Sequence, residues 1–219
     1  MLSESSYVRK HSARIATSAE ILNQNLRNGI LLDLGCREGH MRSRINSDVV
    51  LWGIDYREYW CKSALRAKYE RVELANLEEG IPLSNETVHS IYAGEILEHL
   101  LQTSEFLAEM YRVIKPGGMI HITTPNLAYL HNLVLIIRGR QLSKVEYEHS
   151  PDDMGHVSYY SPESLTMHLA KTGFTDIYLH PFINPLQHPV VRSIYRLSKT
   201  LRSKYSQFLF VTARKVSKD

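Results

Sequence analysis

The run Ile30-Leu31-Leu32-Asp33-Leu34-Gly35-Cys36-Arg37-Glu38-Gly39-His40 decides the fold. Its first five residues are apolar except for Asp33. So short and continuous an apolar run is the mark of a strand buried on both faces, as in a parallel sheet. It breaks into a loop with glycines at 35 and 39, and a helical pattern follows from about Met41. Strand, glycine turn and helix are the opening unit of a doubly wound α/β sheet.

Working outward, the same grammar repeats. Upstream, residues up to about His11 read as a loose polar arm. Ser12 to Leu26 reads as an amphipathic helix, capped by Ser12 and stopped at Asn28-Gly29. Downstream, Val49–Asp55, Arg71–Leu74, Val88–Ala93, Met119–Thr124, Phe174–Phe182 and Phe208–Ala213 read as strands. Met119–Thr124 is entered through the turn Lys115-Pro116-Gly117-Gly118. Phe106, Leu107, Met110, Val113 and Ile114 have helical spacing. Ser161-Pro162-Glu163 starts another helix, with serine as cap and proline in the first turn, and Gly173 ends it. The alternation predicts a mainly parallel sheet covered on both faces, with functional loops at the carboxyl ends of its strands.

The glycine turn carries chemical information. Without a Cβ the backbone can approach a ligand closely, and the first turn of such a sheet is where an adenosyl ligand lies. Asp33 ends the first strand. Asp55 ends the second, where a carboxylate can accept a hydrogen bond from each of two ribose hydroxyls. The G-x-x-x-G spacing disfavours a nicotinamide cofactor, which calls for G-x-G-x-x-G. The plainer alternative is that Gly35 and Gly39 only close a tight turn.

Composition bounds the rest. The chain has 219 residues, 43% hydrophobic and 22% charged, which fits one globular domain over residues 1–219 and excludes wholesale disorder. A net charge of +3 is too weak to argue for nucleic acid. Cys36 and Cys61 make neither a disulfide framework nor a zinc site. Met1 to Ser6 lacks the apolar core of a secretory signal, so the cytoplasm is the expected location. Leu127 to Ile137, broken by His131 and Asn132, is too short to span a bilayer.

An ordered series of motifs now resembles the class I methyltransferases. Leu32-Asp33-Leu34-Gly35-Cys36-Arg37-Glu38-Gly39 is similar to their first motif and Trp52-Gly53-Ile54-Asp55 to the second. Ala75-Asn76-Leu77-Glu78 with Ile81-Pro82-Leu83 resembles the segment that lines adenine. Gly94-Glu95-Ile96-Leu97-Glu98-His99-Leu100 resembles the fourth motif. Val113 to Gly118 and Thr124-Pro125-Asn126 resemble the fifth and its strand. The series covers about residues 30 to 182. Two positions depart from it: Arg37 replaces the middle glycine, and Asn76 stands where aspartate is usual. The resemblance implies a Rossmann-like seven-stranded sheet with its last strand antiparallel, and S-adenosylmethionine as cofactor. It implies Asp33, Leu34, Gly35, Cys36, Gly39, Asp55, Tyr56, Asn76, Leu77 and Glu95 as cofactor-binding residues. Within that class the chain resembles the ubiquinone-biosynthesis O-methyltransferases and their wider superfamily.

The fourth motif adds E-x-x-E-H. If it enters a helical turn, Glu95, Glu98 and His99 share a face. Two carboxylates and an imidazole can hold a divalent cation. The pattern is similar to the metal motif of ubiquinone-biosynthesis O-methyltransferases and of small-RNA 2′-O-methyltransferases. The RNA group adds a later histidine, matched here by His156 in Gly155-His156-Val157-Ser158. Without a metal, His99 and His156 are the candidate catalytic bases, because imidazole titrates near neutrality.

Residues 127–160 are expected to shape the acceptor site as a lid insertion. The segment Leu127 to Lys144 is apolar and then basic (Arg138, Arg140, Lys144), as for a lid helix or a peripheral membrane contact. Tyr147, Tyr159 and Tyr160 are candidates to wall a pocket, and Asp152-Asp153 argues against RNA there. Residues 183–205 read as a second, basic helical insertion. The leading reading is O-methylation of a small-molecule, lipid or glycan acceptor. The alternatives are a metal-dependent RNA 2′-O-methyltransferase, with nucleic acid disfavoured, and a non-catalytic methyltransferase-like scaffold. Oligomeric state stays open.

Overall fold

The computed structural model describes residues 4–143, 155–182 and 198–217, with side chains from Ser12 onward. Seven strands among them form one sheet: β1 (Gly29–Leu34), β2 (Val49–Asp55), β3 (Arg71–Leu74), β4 (Val88–Gly94), β5 (Ile114–Pro125), β6 (Thr175–Leu179) and β7 (Phe208–Arg214). Their spatial order is β3-β2-β1-β4-β5-β7-β6. β7 runs antiparallel to β5 and β6, and the other pairings are parallel. The doubly wound sheet with an antiparallel last strand is thus as expected from the sequence.

The helices are α1 (Glu4–Asn25), α2 (Glu58–Arg66), α3 (Thr103–Val113), α4 (Leu130–Ile137), α5 (Pro162–Thr172) and α6 (Lys199–Tyr205). They cover the sheet on both sides. Leu31 and Leu32, adjacent in β1, point to opposite cores, as strand pleating requires. On one side Leu31 packs with Ile15 and Leu22 of α1 and Ala64 of α2. On the other, Leu32 packs with Phe106 and Met110 of α3 and Leu165 and Leu169 of α5. Truncating a buried leucine such as Leu32 or Leu107 to alanine removes about 2–5 kcal/mol of stability.

Four sequence expectations change. α1 begins at Glu4 rather than Ser12: residues 4–11 contain no glycine or proline to stop it. No helix follows Met41. Residues 36–45 form hydrogen-bonded turns instead, such as Ile45 N to Met41 O at 3.1 Å. The Arg42 guanidinium donates to the carbonyls of Val49, Ile45 and Asn46, so one side chain satisfies acceptors that a helix would have used. α3 stops at Val113, and β5 starts at Ile114, five residues before the expected Met119. β6 covers only Thr175–Leu179 of the expected 174–182. By contrast α5 has the expected boundaries. Ser161 accepts from Ser164 N, Pro162 opens the first turn, and Gly173 closes the helix with a left-handed φ of 105°. No described helix is long and apolar enough to cross a membrane.

The order places β1 beside β4, where the chain changes winding direction. Asp33 pairs in register with Tyr92 and Leu34 with Ala93. The crevice beyond the carboxyl ends of these two strands is the place where open α/β sheets bind ligands.

Candidate active site

The glycine loop hangs over that crevice. The amides of Gly35 and Cys36 both donate to Ile54 O, at 2.8 and 3.1 Å, so the loop is pinned to the end of β2. Gly35 has φ 70° and would carry a Cβ into the Ile96 side chain. Arg37 also takes a left-handed φ of 45°. That conformation explains why glycine is usual there, and for arginine it costs on the order of 1 kcal/mol or more. Two contacts offset the strain. The Arg37 amide donates to Asp55 Oδ2 at 3.0 Å, and its guanidinium lies 5.0 Å over the Trp60 ring of α2. The side chain is thereby engaged by α2.

A hollow opens here, lined among others by Arg14, Asp33, Gly35, Arg37, Tyr92 and Gly94. Asp33 is 4% exposed and accepts from the Tyr69 hydroxyl at 2.6 Å. Burial pushes its carboxyl up to about 7, against the opposing pull of Tyr69. Arg14, from α1, donates to the Tyr92 hydroxyl at 3.3 Å and to Thr123 Oγ1 at 3.2 Å. Arg14 escaped the sequence reading. The signal was its spacing: it shares a helical stripe with Ile15, Ser18, Ala19 and Leu22, all buried, and a charge on a buried stripe calls for a reason.

The other expected cofactor residues divide. Asp55 accepts from the amides of Arg37 and Arg57 at 3.0 Å each; burial raises its carboxyl and these amides oppose that. It is not among the residues lining the hollow. Leu34 is in the hydrophobic core. Cys36 lines the hollow, its thiol held well above the usual range by burial. Gly39 packs against α2 and Tyr69: a Cβ there would stand 2.7 Å from Ala67 Cβ and 3.0 Å from Tyr69 Cε2. Its reason for being glycine is packing rather than approach to a ligand. Tyr56 is exposed and accepts from Arg57 Nε at 2.7 Å. Asn76 caps a 3-10 turn by accepting from Glu78 N at 3.1 Å, and Leu77 packs on the core.

The second cluster follows β4. Glu98, His99 and His156 bring their ligating atoms within 4.8 Å of one another. Glu95 stands outside this group, which corrects the expectation of a shared helical face. Its φ of 59° breaks the helical path, and only Leu97–His99 form a single 3-10 turn. His156 reaches the cluster because its strap is sewn to that turn: Val157 N and Ser158 N both donate to Glu98 O, at 2.8 and 3.0 Å. Glu98 is 1% exposed. Its Oε2 accepts from Thr124 Oγ1 at 3.0 Å, while Oε1 is buried with no hydrogen-bond partner. Burial, then the charge of Glu95, push its carboxyl well above the carboxylate range. An orphaned buried oxygen beside two imidazoles suits a divalent cation.

A second hollow adjoins the cluster, lined among others by Glu98, Pro125, Leu127, Asn132, His156 and Tyr159. Asn132, on α4, accepts from Ser143 N at 3.0 Å and donates to Leu127 O at 3.2 Å, which fixes the helix beside the opening. Tyr160 does not wall it. That side chain is buried in the core, 2.6 Å from Thr103 Oγ1. Tyr147, Asp152, Asp153 and residues 183–197 lie outside the described residues.

A doubly wound sheet with a glycine loop and an acid at the second strand's tip, crossed by an E-x-x-E-H turn, defines a nucleotide-type cofactor domain of the methyltransferase class. Residues 7–179 match the family model for the methyltransferase domain, and the chain belongs to that family. S-adenosylmethionine is the family's cofactor. A protein of Mycolicibacterium smegmatis described as a probable S-adenosylmethionine-dependent methyltransferase is 36% identical over 100 residues, covering 44% of this chain and 38% of that protein. The human mitochondrial ubiquinone biosynthesis O-methyltransferase is 28% identical over 158 residues, 66% of this chain and 41% of that one. The chain thus spans less than half the length of these two relatives. Among solved structures, an S-adenosylmethionine-dependent methyltransferase of Archaeoglobus fulgidus superposes with a TM-score of 0.64 at 20% identity, over 95% of this chain and 99% of that one. That likeness is one of fold.

Proposed function

We propose that the chain binds S-adenosylmethionine in the β1/β4 crevice and transfers its methyl group to an oxygen of a small-molecule, lipid or glycan acceptor held in the second hollow. One observation carries this reading: Gly94 lines the first hollow and Glu98 the second, so one short turn joins cofactor site and acceptor site. In the reaction the acceptor oxygen forms a bond to the methyl carbon, the carbon–sulfur bond breaks, and its electron pair returns to sulfur. The acceptor must be held in line, kept from water and relieved of its proton.

His99 is suited to take that proton. Its Nδ1 lies 2.7 Å from the Gly155 carbonyl, which can only accept, so Nδ1 carries the hydrogen and Nε2 the lone pair. A divalent cation held by Glu98, His99 and His156 would polarise the acceptor oxygen instead, lowering its pKa. His156 is then a ligand rather than a second base.

The acceptor class rests on the lining. Among the described residues around the second hollow there is no lysine or arginine to meet a phosphate backbone, which weighs against RNA. The outer face of α4 supports peripheral contact with an anionic membrane. It exposes Val134, Ile136 and Ile137, followed by exposed Arg138 and Arg140, while Asn132 is the residue it buries. Similarity to the human ubiquinone biosynthesis O-methyltransferase points the same way.

The test is incubation with methyl-labelled S-adenosylmethionine and a panel of catechols, prenylated phenols, glycans and RNA oligomers. Label is expected in a hydroxyl of a small-molecule, lipid or glycan acceptor. Label in RNA alone, or in no acceptor with or without added divalent cation, would overturn the reading.

A further inference from the structure

Tyr69 sits in the connection between α2 and β3, away from every motif in the sequence. Its ring occupies space that two glycines leave open. A Cβ at residue 39 would stand 3.0 Å from Tyr69 Cε2, and one at residue 53 would stand 3.1 Å from Tyr69 Cδ1. Seated there, the ring delivers its hydroxyl 2.6 Å from Asp33 Oδ2, on the floor of the cofactor hollow. Burial and the adjacent Asp33 charge hold the phenol well above its ordinary range, so it is the donor.

We propose that Tyr69 is a positioning residue for the cofactor: it fixes the Asp33 carboxylate toward the ammonium of the cofactor's amino-acid end and makes cofactor binding proton-linked. The inference rests on the cofactor site proposed above. An ammonium is held by a carboxylate and not by a carboxylic acid. Arg14 and Tyr69 favour the ionised form of Asp33, whereas burial and the charge of Asp55 oppose it. Cys36, Arg37, His40 and Tyr92 are the other titratable or charged groups that line the same hollow. With its carboxyl near 7, Asp33 changes state within the ordinary pH range, and Tyr69 sets where. The hydroxyl is worth about one pH unit, a factor of about five at pH 7.

The test compares wild type with Tyr69→Phe, which keeps the ring and its packing. S-adenosylhomocysteine, which carries the same ammonium, is titrated between pH 6 and pH 9. In parallel, carbon-13 NMR follows the Asp33 carboxyl without ligand. Wild-type affinity is expected to climb through about pH 7 and level off above it. In Tyr69→Phe the climb moves about one unit alkaline, binding at pH 7 falls about fivefold, and the two proteins converge at pH 9. The Asp33 titration shifts in the same sense. Superimposed profiles, or a loss of the same factor at every pH, would refute the role of Tyr69. So would an unshifted Asp33 titration. No binding by wild type at any pH would instead refute the cofactor site, and the inference with it.

Discussion

The carbonyl oxygen of Gly155 lies 2.7 Å from Nδ1 of His99 and so decides which nitrogen of that ring carries the hydrogen and which the lone pair. The contact spans two distant parts of the chain. It exists because the strap holding His156 is bonded through Val157 and Ser158 to the backbone of Glu98. One short strap therefore delivers a second imidazole and orients the first, the kind of support on which metal and acid–base sites depend.

The Glu98–His99–His156 cluster is expected to bind a divalent cation, with Glu98 as its anionic ligand. Glu98→Gln keeps the shape and the bond from Thr124 but removes the charge. Manganese binding, followed by electron paramagnetic resonance, should weaken at least tenfold in the variant. Equal binding in the two proteins would place the cation elsewhere.

Asp33 should also govern stability. Its carboxyl holds a proton more tightly in the fold, at about 7, than at the ordinary value of 3.8. The native state therefore binds more protons than the unfolded state between these values, and stability falls as pH rises from about 4 to about 7. Asp33→Asn removes that penalty. The variant should match wild type near pH 4 and exceed it above pH 7 by up to about 4 kcal/mol, while losing cofactor binding. Thermal melting across pH checks this. A variant less stable at pH 8 would show that the ionised carboxylate stabilises the fold.

The exposed face of α4 gives a test of the membrane proposal. Ile137 is 85% exposed, next to exposed Ile136 and Arg138. Wild type should sediment with phosphatidylglycerol vesicles, less so at high salt. Ile136→Ser with Ile137→Ser should reduce binding about tenfold and leave affinity for S-adenosylhomocysteine unchanged. Equal sedimentation of both proteins would dismiss this face.

Much of this was legible in the residues. Strands β1 and β2 follow from apolar runs and fall within a residue of their reading, because central parallel strands are buried on both faces and leave little ambiguity; β3, at the exposed edge, also falls where it was read. α5 was legible because its serine cap and terminal glycine are local chemistry. The turns after Met41 were not, since the competing partner is tertiary: Arg42 reaches carbonyls up to Val49. In the site, His156 joining Glu98 and His99 agrees with the motif pattern, whereas the exclusion of Glu95 depends on one left-handed residue that E-x-x-E-H does not encode. Tyr69 and Arg14 carry no motif at all. Their roles come from Asp33 being the residue around which α1, β1 and the α2–β3 connection converge.

The most direct measurement is calorimetric titration of S-adenosylhomocysteine into wild type and Asp55→Ala at pH 8. Wild type should bind, and the variant should lose about 1.5–3 kcal/mol as the carboxylate that holds the Arg37 amide, and with it the glycine loop, is removed. Absence of heat for wild type at millimolar ligand, or equal affinity in both proteins, would contradict a cofactor seated between the glycine loop and the tip of β2.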